Sequence, residues 1–185
     1  MVRLAIHLRP RPLRRFAVDR RGVSAVEFAL LLPLMVMLYL GGVELGQGLT
    51  IDRKVTHVTS SLADLVTQAK VVTDAGMANI LDAAAAVVTP YDDSLLRIKV
   101  SGVSIDAEGV ATVAWSDALN DTPLAVNSTI TLPAQVSQPN TFIVTAEVHY
   151  NYTPTIGYVL TGSFDFKDQF YLRPRLTDVI TRVAG

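Results

Sequence analysis

One stretch constrains this chain more than any other: residues 28–43 contain no Asp, Glu, Lys or Arg. As an α-helix these sixteen residues would rise about 24 Å, somewhat less than the hydrocarbon core of a bilayer, which is about 30 Å thick. Including residues 23–26 makes up the difference and also brings one carboxylate, Glu27, into the helix. The pattern therefore predicts a membrane span with an acid near its start. The 185-residue chain leaves room for one further domain of ordinary size.

Charged residues are unevenly distributed on the two sides of this stretch. Seven arginines and one aspartate precede Gly22, a balance of +6, whereas the residues after it carry nine basic and sixteen acidic side chains, a balance of −7. Because basic residues stay on the cytoplasmic side of a membrane helix, we expect the N-terminus inside and the C-terminal body outside. The body has no basic stripe, so we expect no nucleic-acid partner.

The residue inventory excludes several kinds of chemistry. The chain contains no cysteine, and its three histidines, His7, His57 and His149, are far apart in the sequence. Disulfides, thiolate ligands and cysteine nucleophiles are thereby excluded, and the histidines lack the spacing of metal ligands. The sequence motifs of nucleotide-binding proteins, metalloproteases and serine hydrolases do not occur either. We predict no metal, no cofactor and no enzymatic activity.

A glycine and a glutamate mark the start of the predicted helix. Gly22 separates the arginine-rich arm from the apolar residues, and Glu27 and Phe28 stand five and six positions after it. This layout resembles the type IV prepilin signal, which implies that a peptidase cuts between Gly22 and Val23. Glycine would let the protease approach the backbone closely. The carboxylate of Glu27 would then neutralise the new amine of Val23, or that of a neighbouring chain, because an unpaired charge among apolar helices is costly.

The resemblance extends through the span and beyond it. Over "GVSAVEFALLLPLMVMLYLGGVELGQGLTIDRKVTHVTSSLADLVTQ" the chain is similar to the TadE-like family, the pilin-like proteins of the tight-adherence (Flp) pilus system. The positions that follow the family pattern are Gly22, Ala25, Glu27, Phe28, Ala29, Pro33, Gly42 and Glu44, of which the last two end the span. Near the C-terminus, "AEVHYNYTP" and "YLRPR" fit the family loosely.

This family resemblance implies a minor pilin-like subunit, or pseudopilin, that supports adhesion and biofilm formation through assembly of the pilus. The partners it implies are the bacterial inner membrane, a prepilin peptidase, other pilin-like subunits and the pilus assembly machinery. The implied location of the C-terminal head is the periplasm, or the extracellular pilus after assembly. The side chains to which it assigns helix packing are Phe28, Leu30, Leu31, Leu34 and Leu38.

Beyond the span, the periodicity predicts two helices. An apolar stripe recurs every three or four residues, at Ile51, Val55, Val58, Leu62, Leu65 and Ala69, which is typical of a helix that packs along one side. A second helix is predicted over residues 74–88, with Thr73 or Asp74 as its N-cap and Pro90 as its stop. The stripe packs either on its own domain or partly on neighbouring subunits.

After the helices, apolar residues alternate and predict an antiparallel sheet of three to five strands. The strands are expected at residues 96–105, 110–115, 141–152 and 164–172, with an irregular, proline-containing excursion at residues 116–140. Helices followed by strands predict an α+β fold. The predicted order is a cytoplasmic leader (1–22), a transmembrane helix (23–46), a helical stem (47–90) and an extracytoplasmic β head (91–185).

Two other functions are compatible with the same features. One is an uncleaved single-pass envelope protein whose extracytoplasmic head binds a ligand or partner, since the span and head do not require cleavage after Gly22. The other is an enzyme, which we do not expect because no catalytic set is recognisable in the sequence.

Overall fold

The computed structural model describes residues 21–154, 157 and 161–184, so most of the predicted leader lies outside the described residues. Its longest element is helix α1, Arg21–Thr67, a single helix of 47 residues that contains Pro33. A proline removes one backbone hydrogen bond, a loss that membrane helices tolerate. The predicted border between span and stem, at residue 46, falls inside α1.

The second half of α1 buries its apolar stripe against the body of the protein. Ile51, Val55, Val58 and Leu62 are all buried, as predicted, whereas Leu65 is 43% exposed. Val66 takes the predicted place of Leu65 in the core. The reason is the helical pitch of 3.6 residues, which brings the fourth residue after Leu62, and not the third, back to the buried side. The stripe therefore packs on its own domain.

Helix α2, Asp74–Ala86, follows after a short connection and packs against α1. The Thr73 hydroxyl accepts a hydrogen bond of 3.1 Å from the backbone N–H of Gly76, which confirms the predicted N-cap. The helix ends two residues before the predicted end at Val88. Past that end, the Lys54 ammonium donates hydrogen bonds of 2.9 and 2.8 Å to the carbonyl oxygens of Val87 and Thr89. A side chain of α1 thus satisfies carbonyl groups that follow the last turn of α2.

Five strands form the main sheet, and the α+β fold is confirmed. A one-turn 3-10 helix, Asp93–Leu95, precedes the first of them. The strands are β2 (Leu96–Ile105), β3 (Ala111–Leu119), β4 (Thr129–Ile130), β5 (Thr141–Tyr152) and β6 (Phe164–Leu172). Their order in the sheet is β4–β3–β2–β5–β6, with antiparallel neighbours throughout.

The core lies between α1, α2 and one face of this sheet. Alternate β5 side chains line that face, namely Phe142, Val144, Ala146, Val148, Tyr150 and Tyr152, all of them buried. A second, smaller core lies on the other face at one end, around Val103, Ile105, Ala111 and Ile143. The excursion after β3 packs Ile130, Leu132 and Val136 onto it. Part of the segment predicted as irregular therefore covers apolar residues of the sheet.

A two-stranded parallel pair, not predicted from the sequence, joins the stem to the C-terminus. Strand β1, Val71–Thr73, pairs with β7, Thr181–Val183. The Arg182 side chain donates two hydrogen bonds of 3.0 Å to the carboxylate of Asp117 and lies 2.6 Å from an oxygen of Asp74. One arginine thus connects β7, β3 and the first turn of α2.

Candidate assembly site

The first half of α1 extends beyond the body and exposes its apolar side chains. The five leucine and phenylalanine positions predicted to pack on other helices are each at least 55% exposed: Phe28, Leu30, Leu31, Leu34 and Leu38. An 18-residue window of this helix has a mean hydropathy of 2.1, and none of that window is buried by the rest of the protein. By length and composition, this part of α1 is a candidate membrane span.

The predicted cleavage site lies in the first turn of α1. Among the described residues, no atom outside the helix's own backbone and the two chain neighbours would lie within 4 Å of a side-chain carbon placed on Gly22. Val23 is 57% exposed, and Glu27 is exposed one helical turn later. Residues four apart lie on the same side of a helix, so a new amine on Val23 would be within reach of the Glu27 carboxylate. Cleavage and charge pairing stay predictions.

The two residues predicted to end the span have opposite environments. Gly42 is exposed, and in the described part of the chain no atom outside its own helix backbone and the two chain neighbours would lie within 4 Å of a side-chain carbon there. Glu44 is only 1% exposed because it faces the head. At this level the Tyr152 hydroxyl donates a hydrogen bond of 3.1 Å to Gln47 Oε1, and the Tyr152 ring centroid lies 6.2 Å from that of Phe166. We call Glu44, Gln47, Tyr152 and Phe166 the helix–head joint.

The surroundings of Tyr152 in this joint favour the neutral, protonated form of its phenol. Burial raises the pKa of Tyr152, and Tyr91 and the carboxylate of Glu44 raise it further. A side-chain carbon placed on Gly48 would lie 3.7 Å from Phe166 Cζ, an ordinary van der Waals distance, so the sheet packs beside α1 here without requiring a glycine. The sequence predicted Tyr152 only as a strand residue and did not single out Gln47. A hydrogen bond between residues 105 positions apart produces no periodic pattern in the sequence from which it could be predicted.

The outer face of the sheet carries a network of alternating charges. His149 lies 3.0 Å from both Glu147 and Asp165, and Lys167 lies 2.9 Å from Glu147. Arg97 lies 3.6 Å from Asp165. Burial works to raise the pKa of Glu147, but hydrogen bonds from Lys167 and His149 outweigh it, so the pKa is lowered from its usual 4.5. This network was not predicted, and it gives the head a polar outer surface.

Further polar surface lies at the end of the sheet near the second core. A cavity of about 570 Å³ there is lined by Asp106, Asn140, Arg173 and Asp178, among others. Arg173 is hydrogen-bonded to Gln138. In the part of the chain that the structure describes, no group of three or more His, Asp or Glu side chains is placed to hold a metal ion. The predicted site residues thus all belong to α1.

The sequence comparison matches one segment of the chain to a known family. Residues 22–64 match the family model described as TadE-like protein. The match begins at the predicted cleavage border and extends through the span into the buried stripe, so the predicted resemblance is confirmed for this segment. Comparison with curated proteins and with solved structures gives no match.

Proposed function

We propose that the chain, whose residues 22–64 match the TadE-like family model, is a minor pilin-like subunit of a tight-adherence pilus. The membrane anchor is the first half of α1, and the head is carried by the second half of the same helix. The observation that supports this role most directly is the apolar helix that leaves the head with its side chains exposed. Such a helix can pass from lipid into a bundle of similar helices.

The proposed cycle has three steps. The chain inserts with its basic arm in the cytoplasm and its head in the periplasm. A prepilin peptidase then cuts after Gly22, and the α-amine of Val23 is released at the membrane face. Finally, α1 enters the pilus beside other pilin-like helices, where the carboxylate of Glu27 pairs with an amine on its own or a neighbouring chain.

Within this proposal the protein is not an enzyme and needs no cofactor. Its contribution to adhesion and biofilm formation comes through pilus assembly. The space around Gly22 among the described residues supports cleavage. The position of Glu27, one turn after Val23, supports the proposed pairing, because a buried charge is tolerated when it has an opposite partner.

The decisive experiment is mass spectrometry of the mature N-terminus in cells with and without the peptidase. We expect a chain that starts at Val23 when the peptidase is present, and one that retains residues 1–22 when it is absent. A chain that retains its leader in cells containing active peptidase would contradict the proposal.

The charge of Glu27 is tested separately with a matched pair of variants. We expect Glu27→Gln to be cleaved normally yet lost from assembled pili, whereas Glu27→Asp, which keeps the charge, retains assembly in part. An uncleaved envelope protein with a binding head would function normally in both variants. Normal pili with Glu27→Gln would therefore overturn the pairing and favour that alternative.

A further inference from the structure

One side of α1 stays uncovered where the helix leaves the membrane. The head buries Glu44, Gly48 and Ile51 on one side, whereas Leu45 and Leu49, on the other, are 56% and 51% exposed. Because the head begins at this level, these two leucines lie beyond the apolar core of the span. Lipid tails therefore do not cover them, and their exposure to water is unfavourable.

The uncovered residues continue a stripe that begins inside the span. Leu38, Gly42, Leu45 and Leu49 follow one another at intervals of four, three and four residues, the spacing of a seam between two helices. Gly42 and Gly46 lie on this side, and a side-chain carbon on either would meet no described atom within 4 Å outside its own helix backbone and chain neighbours. Small residues four apart allow two helix backbones to approach closely. We call these five residues the open face of α1.

We propose that the open face packs against the open face of a second copy of this chain, so that two α1 helices form a parallel pair. This inference rests on the membrane insertion in the proposed function, but not on cleavage after Gly22 or on entry into the pilus. Two copies inserted in the same direction have parallel helices at the same depth. Each open-face residue then meets its own counterpart.

Charge complementarity favours a second copy as the occupant. Asp52 and Arg53 follow the open face and are both exposed, and within the described part of the chain neither side chain forms an ion pair. At about 100° per residue, they flank the seam on opposite sides. A twofold axis parallel to the helices places the Asp52 side of the seam on one copy opposite the Arg53 side of the seam on the other copy. Asp52 of each copy therefore lies beside Arg53 of the other, and two such pairs form.

Disulfide cross-linking of the full-length chain in membranes tests this geometry, because the natural sequence contains no cysteine. A disulfide requires Cα atoms within about 7 Å, which the seam provides at Leu49. We expect Leu49→Cys to give a dimer of twice the chain mass on oxidation. The matched control is Thr50→Cys, an exposed neighbour rotated away from the seam, which should remain monomeric.

Two sets of second-site changes in the Leu49→Cys background identify the contacts. Gly42→Ala with Gly46→Ala should lower the dimer yield by about fivefold or more, whereas Gly48→Ala, the same change on the head side, should not. Asp52→Arg alone places like charges together and should lower the yield several-fold. Adding Arg53→Asp restores opposite charges and should restore the yield.

Membranes from cells that lack the prepilin peptidase keep this test independent of the proposed function. Dimers formed there support the helix pair even if cleavage after Gly22 never occurs. Equal cross-linking at Leu49 and Thr50, or monomers at both, would overturn the proposal. Cross-linking of Leu49→Cys only to a protein of different mass, in cells with the full pilus system, would also overturn it.

Discussion

The indole N–H of Trp115 donates a hydrogen bond of 2.9 Å to the backbone carbonyl oxygen of Ile180. Both residues are buried, at 6% and 1% exposure. The bond holds the segment just before β7 on the edge of the core, next to the contact between Arg182 and Asp117. The segment around β7 is thus attached to strand β3 by one buried hydrogen bond and one ion pair.

We predict that Trp115→Phe destabilises the protein by about 1–2 kcal/mol, because the carbonyl oxygen of Ile180 loses its donor while staying buried. The measurement is the free energy of unfolding of the full chain in detergent micelles, followed by circular dichroism. Arg182→Met, which removes the neighbouring ion pair, provides a comparison. An unfolding free energy equal to that of the wild type in Trp115→Phe would show that water replaces the indole.

Gly102→Ala should also destabilise the head, by about 1–3 kcal/mol, since core rings cannot shift without strain. A side-chain carbon at this position would lie 2.3 Å from Trp115 Cε2 and 2.6 Å from Phe142 Cζ. The fluorescence of Trp115, the single tryptophan of the chain, reports the transition directly. Gly48→Ala, where the nearest atom would be 3.7 Å away, is the matched control. Equal stability of the two variants would contradict the close contact.

Acid should weaken the charge network on the outer face of the sheet. The pKa of Glu147 is lower in the fold than its usual 4.5, so its contribution to stability is present above about pH 4.5 and is lost as the pH falls through the lowered value. We predict a steeper loss of unfolding free energy between about pH 5 and pH 3 in the wild type than in Glu147→Gln. Lys167→Met, which removes a hydrogen bond to Glu147, should reduce the slope as well. Parallel profiles for all three proteins would contradict the role of this carboxylate.

Alkali should act on the helix–head joint. The raised pKa of Tyr152 means that the folded protein holds the phenol proton more tightly than the unfolded chain does. Its contribution is therefore present below about pH 10 and is lost as the pH rises through the folded pKa. Tyr152→Phe should cost about 0.5–1.5 kcal/mol at neutral pH, because the hydrogen bond to Gln47 is lost.

The same variant should lose less stability than the wild type between about pH 9 and pH 11. Thermal unfolding across this range provides the measurement. Tyr150 and Tyr171 also have raised pKa values, in each case mainly through burial, so part of the alkaline slope should remain in Tyr152→Phe. A slope identical to that of the wild type would contradict the role of Tyr152.

Local patterns predicted the secondary structure well because each left a periodic or capping signal. The alternation in β5 and β6, the N-cap at Thr73 and the charge-free span were all recognisable in the sequence. The buried stripe of α1 was predicted as far as Leu62, and the error at Leu65 arose where steps of three and four residues both fitted the pattern. The family match over residues 22–64 covers the part of the chain with the strongest local signal.

Contacts between distant segments could not be predicted in this way. β1 and β7 have three residues each, too few to show a period, and they pair across more than one hundred residues. The hydrogen bond between Gln47 and Tyr152 depends on how the sheet is laid on α1. The charge network around His149 depends on the register of β5 against β2 and β6. Single-sequence patterns contain propensity and spacing but not the register of one element against another.

The anchor and the central element of the head are one unbroken helix, about 70 Å long for its 47 residues. No break in Arg21–Thr67 separates the exposed first half of the helix from the half that packs in the head. A rotation of α1 about its own axis therefore rotates the whole head. A pull along that axis acts directly on the interface between α1 and the sheet. The direction in which the head points is thereby set by the exposed first half of α1.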